Sequence, residues 1–415
     1  MLHRNGIKIF IMAVLFFTAA QITADVLKVG INQKYKLISG ALTAALPGDT
    51  LIIKSGTYKE ENLIIDKPVS IIGENFPVID GEDKYEIFTV TSDNVFITGL
   101  KFINSGLSFI NDNAAIKLDE VKNCVITNNK FEKNFFAIYL AKSSVCEISN
   151  NQITAVKTSE ATSGNGIHLW YCRNIYIKDN YINGHRDGIY FEFVQSSLIT
   201  GNKSENNLRY GLHFMFSDSC SYSKNIFKHN GAGVAVMFTH NVEMIENRFE
   251  NNWGAASYGI LLKDISDSKI ENNYFYKNSS GIYIEGSNRV SVSQNEFIEN
   301  GWAIRLMANS MNNNFSKNNF VGNSFDVATN STKNYNTFIN NFWSEYSGYD
   351  LNKDGFGDVP YRPVKLFSLI VERNRPTLIL LRSMFVGILD AAEKIFPALT
   401  PETLIDNSPS MKRFL

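Results

Sequence analysis

A short phrase returns about every 22 residues through much of this chain, and it restricts the architecture more than any other feature. Gly166-Ile-His-Leu, Gly188-Ile-Tyr-Phe, Gly211-Leu-His-Phe, Gly233-Val-Ala-Val, Gly259-Ile-Leu-Leu and Gly281-Ile-Tyr-Ile open successive units at spacings of 22, 23, 22, 26 and 22. Ala115-Ile116, Ala137-Ile138 and Ala303-Ile304 carry a softened form of the same opening. A second ladder keeps step: Asn129, Asn151, Asn180, Asn202, Asn225, Asn247, Asn273, Asn295, Asn318 and Asn340. Most are followed two residues later by a large apolar side chain, such as Phe131, Phe227, Phe275 or Phe342. So short a unit, built of alternating segments broken by Gly and Asn, cannot bury an apolar face alone, so units must stack.

The expected fold is therefore all-β, a right-handed parallel β-helix. It is a solenoid of about 22-residue coils whose equivalent side chains lie about 4.8 Å apart, the separation of neighbouring strands. The Asn column is expected at a corner, because Asn tolerates left-handed backbone and bonds to neighbouring backbone groups. Strict alternation of the apolar positions excludes an Asn-rich low-complexity tract.

With 415 residues, 44% of them hydrophobic, the chain can fill a long core. Lys+Arg 40 against Asp+Glu 41 leaves no basic surplus to neutralise phosphates, which argues against a nucleic-acid partner. At the N-terminus His3, Arg4 and Lys8 precede the apolar run Ile9 to Phe17 and then small residues. Residues 1–24 read as a secretory signal peptide with cleavage after Ala20 or Ala24. The run is too short for a retained span. Cys124, Cys146, Cys172 and Cys220 would meet an oxidising compartment, yet Cys124 and Cys146 share the inward position that Val242 and Val290 hold elsewhere. Buried free thiols are expected.

The solenoid is assigned to residues 25–345. Tyr35 to Leu46 read as a short amphipathic helix capping its first coil, where an open sheet edge needs cover. Residues 346–375 form an acidic loop and linker. There Asp350, Asn352, Asp354 and Asp358 offer oxygens at loop positions 1, 3, 5 and 9, with Gly355 at 6, as a calcium loop would. Tyr361 replaces the bidentate Glu of position 12, so a calcium-stiffened loop and a plain acidic turn both stand. Residues 376–415 read as a helical tail, too charged for a membrane span. Its apolar positions Leu378, Leu381, Phe385, Ile388 and Leu389 suit either a cap folded on the rod or a docking helix for a partner's groove.

Alternation also sorts each opening strand into faces. Outward go His168/Trp170, Tyr190/Glu192, His213/Met215 and Ala235/Met237. Glu192, Met215 and Met237 fall in one column on three consecutive coils, with His213 two residues from Met215 and His168 in the neighbouring column. Thioethers with an imidazole form a soft set suited to Cu(I). The competing reading is an apolar stripe under a loop or partner. A second group, His185-Arg186-Asp187 with Arg209-Tyr210 one coil on, suits turn pairing or recognition of an acidic sugar. A sugar-cleaving β-helix would need clustered carboxylates, and only Asp187 and Glu192 are near.

Several runs are not demanded by the repeat. GNGIHLWYCRN, GHRDGIYFEF, LRYGLHFMFS and NGWAIRLMANS, with NSFDVATNS, DGFGDVPYRPV, LFSLIVERNRP and the closing LTPETLID, resemble the NosD family across about Gly30 to Asp406. The resemblance implies a non-catalytic periplasmic accessory for assembly of the copper-sulfur site of nitrous oxide reductase. It implies as partners an ABC transporter, through its membrane subunits and ATPase, a copper chaperone lipoprotein and the reductase itself. It also favours docking over capping for the tail, and membrane association through the transporter. It supplies no ligand set. A secreted polysaccharide lyase, hydrolase or epimerase, and a binding rod without metal, are the alternatives.

Overall fold

The computed structural model describes residues 24–108, 112–156, 159–331, 333–381, 383–396 and 404–414. Apart from Ala24, the expected signal peptide lies outside the described residues. Three parallel sheets run the length of a solenoid. The first has 14 strands, from Val26–Val29 to Thr337–Ile339; the second has 13, from Thr57–Tyr58 to Phe342–Trp343; the third has 12, from Leu63–Ile65 to Phe325–Thr329. Register is in step from coil to coil: Leu212 pairs with Val234, Val234 with Ile260, and Ile260 with Ile282. Residues one repeat apart in the text are therefore neighbours in space.

The glycines that open the third-sheet strands are set by close approach of backbones. A Cβ on Gly211 would lie 2.7 Å from the carbonyl oxygen of Gly233, and one on Gly233 would lie 2.5 Å from that of Gly259. Inside, Phe227, Phe249, Phe275, Phe297, Phe320 and Trp343 form one stack with centroid separations of 5.5, 4.8, 4.7, 5.0 and 4.1 Å. Each such pair adds about 0.5–1.5 kcal/mol beyond the area it buries. All four cysteines are free and buried, as their repeat position requires. Burial pushes the Cys172 thiol up to about 11 and that of Cys220 to about 12.

The Asn column differs from expectation in its cause. The left-handed residue is the one before each ladder Asn, among them Asn128, Asp179, Lys224, Glu246 and Lys317. The ladder Asn is buried, and its side chain does the bonding: the Asn225 backbone N–H and Nδ2 both donate to Asn247 Oδ1, and Asn247 repeats this toward Asn273. The last rung is Asn341, not Asn340, and the interior side chain behind it is Trp343, not Phe342. Asn340 holds the left-handed corner instead. A second ladder, Asn207, Asn230, Asn252, Asn278, Asn300 and Asn323, runs along the next turn.

The ends are closed by different means. Helix α1 (Ile38–Ala44) covers the first coil and is shorter than expected, stopping before Pro47-Gly48. The Glu60 carboxylate accepts its first N–H groups, from Ile38 at 2.6 Å and Ser39 at 2.9 Å. That is where a helix favours negative charge. At the other end helical structure begins at Leu366 rather than Pro376: α2 (Leu366–Arg373), a 3-10 segment (Arg375–Leu380) and α3 (Met384–Ile395). Pro376 sits in the first turn of the middle segment, where its missing N–H costs nothing. Phe367 and Val371 of α2 pack on Phe325, and Arg305 of the rod forms a bidentate, nearly fully buried pair with Glu372 at 2.9 and 2.8 Å. The last described stretch is not helical. Residues 404–414 return to the rod, where Asp406 bridges Phe338 and Ser410 bridges Phe342, covering the final sheet edge. Among the described residues no helix is long and apolar enough to cross a membrane.

Candidate metal centre

The third sheet carries the outward columns in the expected register. Tyr139, His168, Tyr190, His213 and Ala235 follow one another across coils, and Trp170, Glu192, Met215, Met237 and Lys263 do so beside them. Met215 and Met237 are thus direct cross-strand neighbours, backbones about 4.8 Å apart. Both are half-buried, as is Glu192.

The imidazoles are less open than outward placement suggested. His213 is only 5% exposed. Its ring lies 4.9 Å from that of Tyr190 and 4.6 Å from that of Tyr210. His168 sits among Phe136, Tyr139 and Tyr190, with centroids at 5.1, 4.8 and 4.8 Å. Burial, helped by nearby Arg186, pushes its imidazole down to about 3, so the ring is neutral. Asn165 Nδ2 lies 3.0 Å from His168 Nδ1 and donates to it, which leaves the proton of the neutral ring on Nε2. A ring with one lone pair taken and the other nitrogen protonated is a poor ligand as it stands. His213 differs, since neither of its nitrogens has a hydrogen-bond partner.

The donor set is consistent with the soft-metal reading. Among the described residues no three His, Cys, Asp or Glu side chains cluster to hold a metal, and the four thiols point inside. The outward column holds the Met215 and Met237 thioethers in register, with the buried His213 imidazole two residues from Met215 on the same strand, donor types that suit a soft cation better than a hard one.

Asp187, a turn or sugar residue by its place in the pattern, is fully buried. Its Oδ1 accepts the Tyr210 N–H at 3.2 Å, which is the turn pairing the pattern suggested. His185 is also enclosed, and burial lowers it to about 4. A row missed in the sequence lies one residue beyond the Met column. Tyr171, Phe193, Phe216 and Phe238 stack at 4.6, 5.2 and 5.1 Å, and all four adopt left-handed φ. Bulky side chains rarely accept that conformation, but the coil imposes it at this corner, where Glu120, Lys142 and Asp264 also have positive φ. The spacings of 22, 23 and 22 within the aromatic row were the available signal.

Elsewhere the Asp350 loop is exposed and its oxygens are engaged by its own backbone. Asp350 accepts from Asp354 and Gly355, Asn352 from Asp354, Asp354 from Phe356, and Asp358 from Leu351. It stands as an acidic turn, with calcium still an expectation from spacing alone. In the tail Leu378, Leu381 and Leu389 pack toward the Phe325 cluster of the rod, whereas Phe385 and Ile388 face out, 46% and 56% exposed.

Residues 149–353, which contain both outward columns at the Met pair, match the family model described as periplasmic copper-binding protein (NosD). A probable ABC transporter binding protein NosD of Stutzerimonas stutzeri is 25% identical over 409 residues, covering 91% of this chain and 92% of the relative. Its counterpart in Pseudomonas aeruginosa is 26% identical, covering 85% and 86%. The chain is similar to the NosD family over most of its length. The NosD match stops before α2, so the tail lies outside the matched region. Among solved structures, the family 28 exopolygalacturonase of Yersinia enterocolitica superposes with a TM-score of 0.62 at 11% identity, covering 76% of this chain and 78% of that one. That likeness concerns the coil architecture only.

Proposed function

We propose that this NosD-like chain is a non-catalytic periplasmic accessory that receives Cu(I) at Met215, Met237 and His213 and passes it toward assembly of the copper-sulfur site of nitrous oxide reductase. The observation that carries the reading is the in-register thioether pair on the outer face beside a buried imidazole with no partner of its own. Copper is cargo here, so a half-buried site that a partner can reach suits the task better than a sealed cage. Glu192, next to Met215 in the same column, supplies negative charge beside the cation. The Tyr171 to Phe238 row gives a copper chaperone an apolar surface next to the ligands.

Cu(I) titration in competition with a chelating dye tests this. Met215→Ala/Met237→Ala is expected to weaken binding by about a hundredfold, since one imidazole cannot hold Cu(I) alone. Equal affinity in the two proteins would remove the site.

The same reading gives the tail a partner, the membrane subunits of an ABC transporter. Support comes from the outward face of α3, where Phe385 and Ile388 are joined by Met384, 82% exposed, while Val386 and Leu389 on its other side pack against the cluster of Phe325, Phe367 and Val371. Phe385→Asp/Ile388→Asp should abolish co-purification with the transporter and leave the melting temperature within about 2 °C, as expected of exposed positions. Undiminished co-purification would place the contact elsewhere.

The sugar-cleaving reading loses the pair it was built on, because Asp187 is fully enclosed and, of those two carboxylates, Glu192 alone is open to a substrate.

A further inference from the structure

Four side chains from the turn before Gly188 and the strand one coil on hold buried polar atoms without a hydrogen-bond partner: His185, Arg186, Asp187 and His213. Such atoms are rare, because each loses its hydration for nothing in return. Two of them face one another. Asp187 Oδ2 lies 3.6 Å from His213 Nδ1, beyond hydrogen-bond range but within that of an ion pair, and neither atom has a hydrogen-bond partner. Arg186 Nε approaches the same oxygen at 3.8 Å. The other Asp187 oxygen is held by the Tyr210 N–H, so the carboxylate cannot turn away. The Tyr190 and Tyr210 rings flank the imidazole and restrict its rotation.

We infer that Asp187 is a positioning residue for copper. It accepts the Nδ1–H of His213, fixes the ring in that tautomer and leaves the Nε2 lone pair free as the ligand beside Met215. Imidazoles that bind metals commonly donate their second N–H to a carboxylate, which sets the ring's orientation and raises its basicity. A closure of a few tenths of an ångström satisfies both orphaned atoms at once, and metal binding at Nε2 would draw the Nδ1 proton toward the carboxylate. Arg186 brings positive charge to the Asp187 carboxylate while having no lone pair with which to compete for the ring proton. This inference rests on the copper reading, but its first test does not.

Imidazole 15N shifts of the metal-free protein report which nitrogen bears the proton. In the natural chain His213 should show Nδ1–H with Nε2 bare, and Asp187→Asn, which retains an oxygen for the Tyr210 N–H, should shift the balance toward Nε2–H. Nε2–H in the natural chain would overturn the assignment whether or not copper binds. Cu(I) competition is the second arm: Asp187→Asn should lose about 10- to 100-fold in affinity, while Asp187→Glu restores part of it. If the natural chain binds Cu(I) and His213→Ala weakens it but Asp187→Asn does not, the positioning role fails and the copper site stands. If the natural chain binds no Cu(I), the copper reading fails, and the 15N arm alone decides whether Asp187 fixes the tautomer.

Discussion

Asp406→Ala is expected to cost about 3–5 kcal/mol and to release residues 404–414 from the rod. The carboxylate is completely buried and ends the Asn ladder. Its Oδ2 accepts from the Asn341 N–H at 2.9 Å, Asn341 Nδ2 at 3.1 Å and Trp343 Nε1 at 3.1 Å, and its Oδ1 accepts from the Asn340 N–H at 3.1 Å. Removing it strands these four donors of the rod, besides the Ser408 N–H, where water does not replace it, each at about 1–3 kcal/mol before relaxation. Asp406→Asn should do nearly as badly, because an amide puts an NH₂ group where donors converge. Because stacked repeats unfold in parts, the effect is best read as faster amide exchange at Asn340, Asn341 and Trp343. Exchange there matching the natural chain in both variants would show that the tail is not the cap.

The stacking, the inward and outward faces and the register of the Met column were all legible because each depends on periodicity, and a parallel solenoid turns periodicity into contact. Met215 beside Met237 is such a case. What periodicity does not carry is the state of a side chain once placed. His168 and His213 occupy one column, yet one nitrogen of His168 is engaged by Asn165 while neither nitrogen of His213 has a hydrogen-bond partner. The difference comes from Asn165, three residues before His168 and one residue before the glycine that opens its strand, where no repeat position stood out. The pairing of Asp187 with His213 was hidden for the same reason, since the two lie on different coils and at different repeat positions. The ends were obscured because they abandon the repeat. Nothing local in LTPETLID tells that its last residue plugs a column of amides some sixty residues earlier in the chain. The one-residue slip from Asn341 to Asn340 arose where two asparagines are adjacent and only the hydrogen bonds distinguish corner from rung.

Asn247→Asp should produce a protein whose stability relative to the natural chain falls steeply as pH rises. An interior rung must accept and donate together. Asn247 Oδ1 takes the N–H and Nδ2 of Asn225, each at 3.0 Å, while its own Nδ2 gives to Tyr222 O at 2.9 Å and Asn273 Oδ1 at 3.1 Å. Aspartate can replace the accepting half only. Its second oxygen would meet two acceptors in a fully buried position. Protonation removes that conflict, because the acid O–H donates to one of them, so both burial and the facing oxygens raise the folded-state pKa above the unfolded value of about 4. The native state then holds the proton more tightly than the unfolded chain. The variant's stability is therefore greatest below about pH 4 and is lost as pH rises through the folded pKa. At pH 8 the deficit should reach about 5 kcal/mol, the upper range for an unpaired buried charge. Asn247→Ala, which strands the Asn225 donors and Tyr222 O without adding a charge, should cost about 3–4 kcal/mol with little pH dependence. Denaturant midpoints of both variants at pH 4.5 and pH 8 separate the cases. Equal losses for Asp at the two pH values would mean that the rung tolerates a carboxylate. The rule that aspartate belongs only at the ladder's end, where Asp406 stands, would then be wrong.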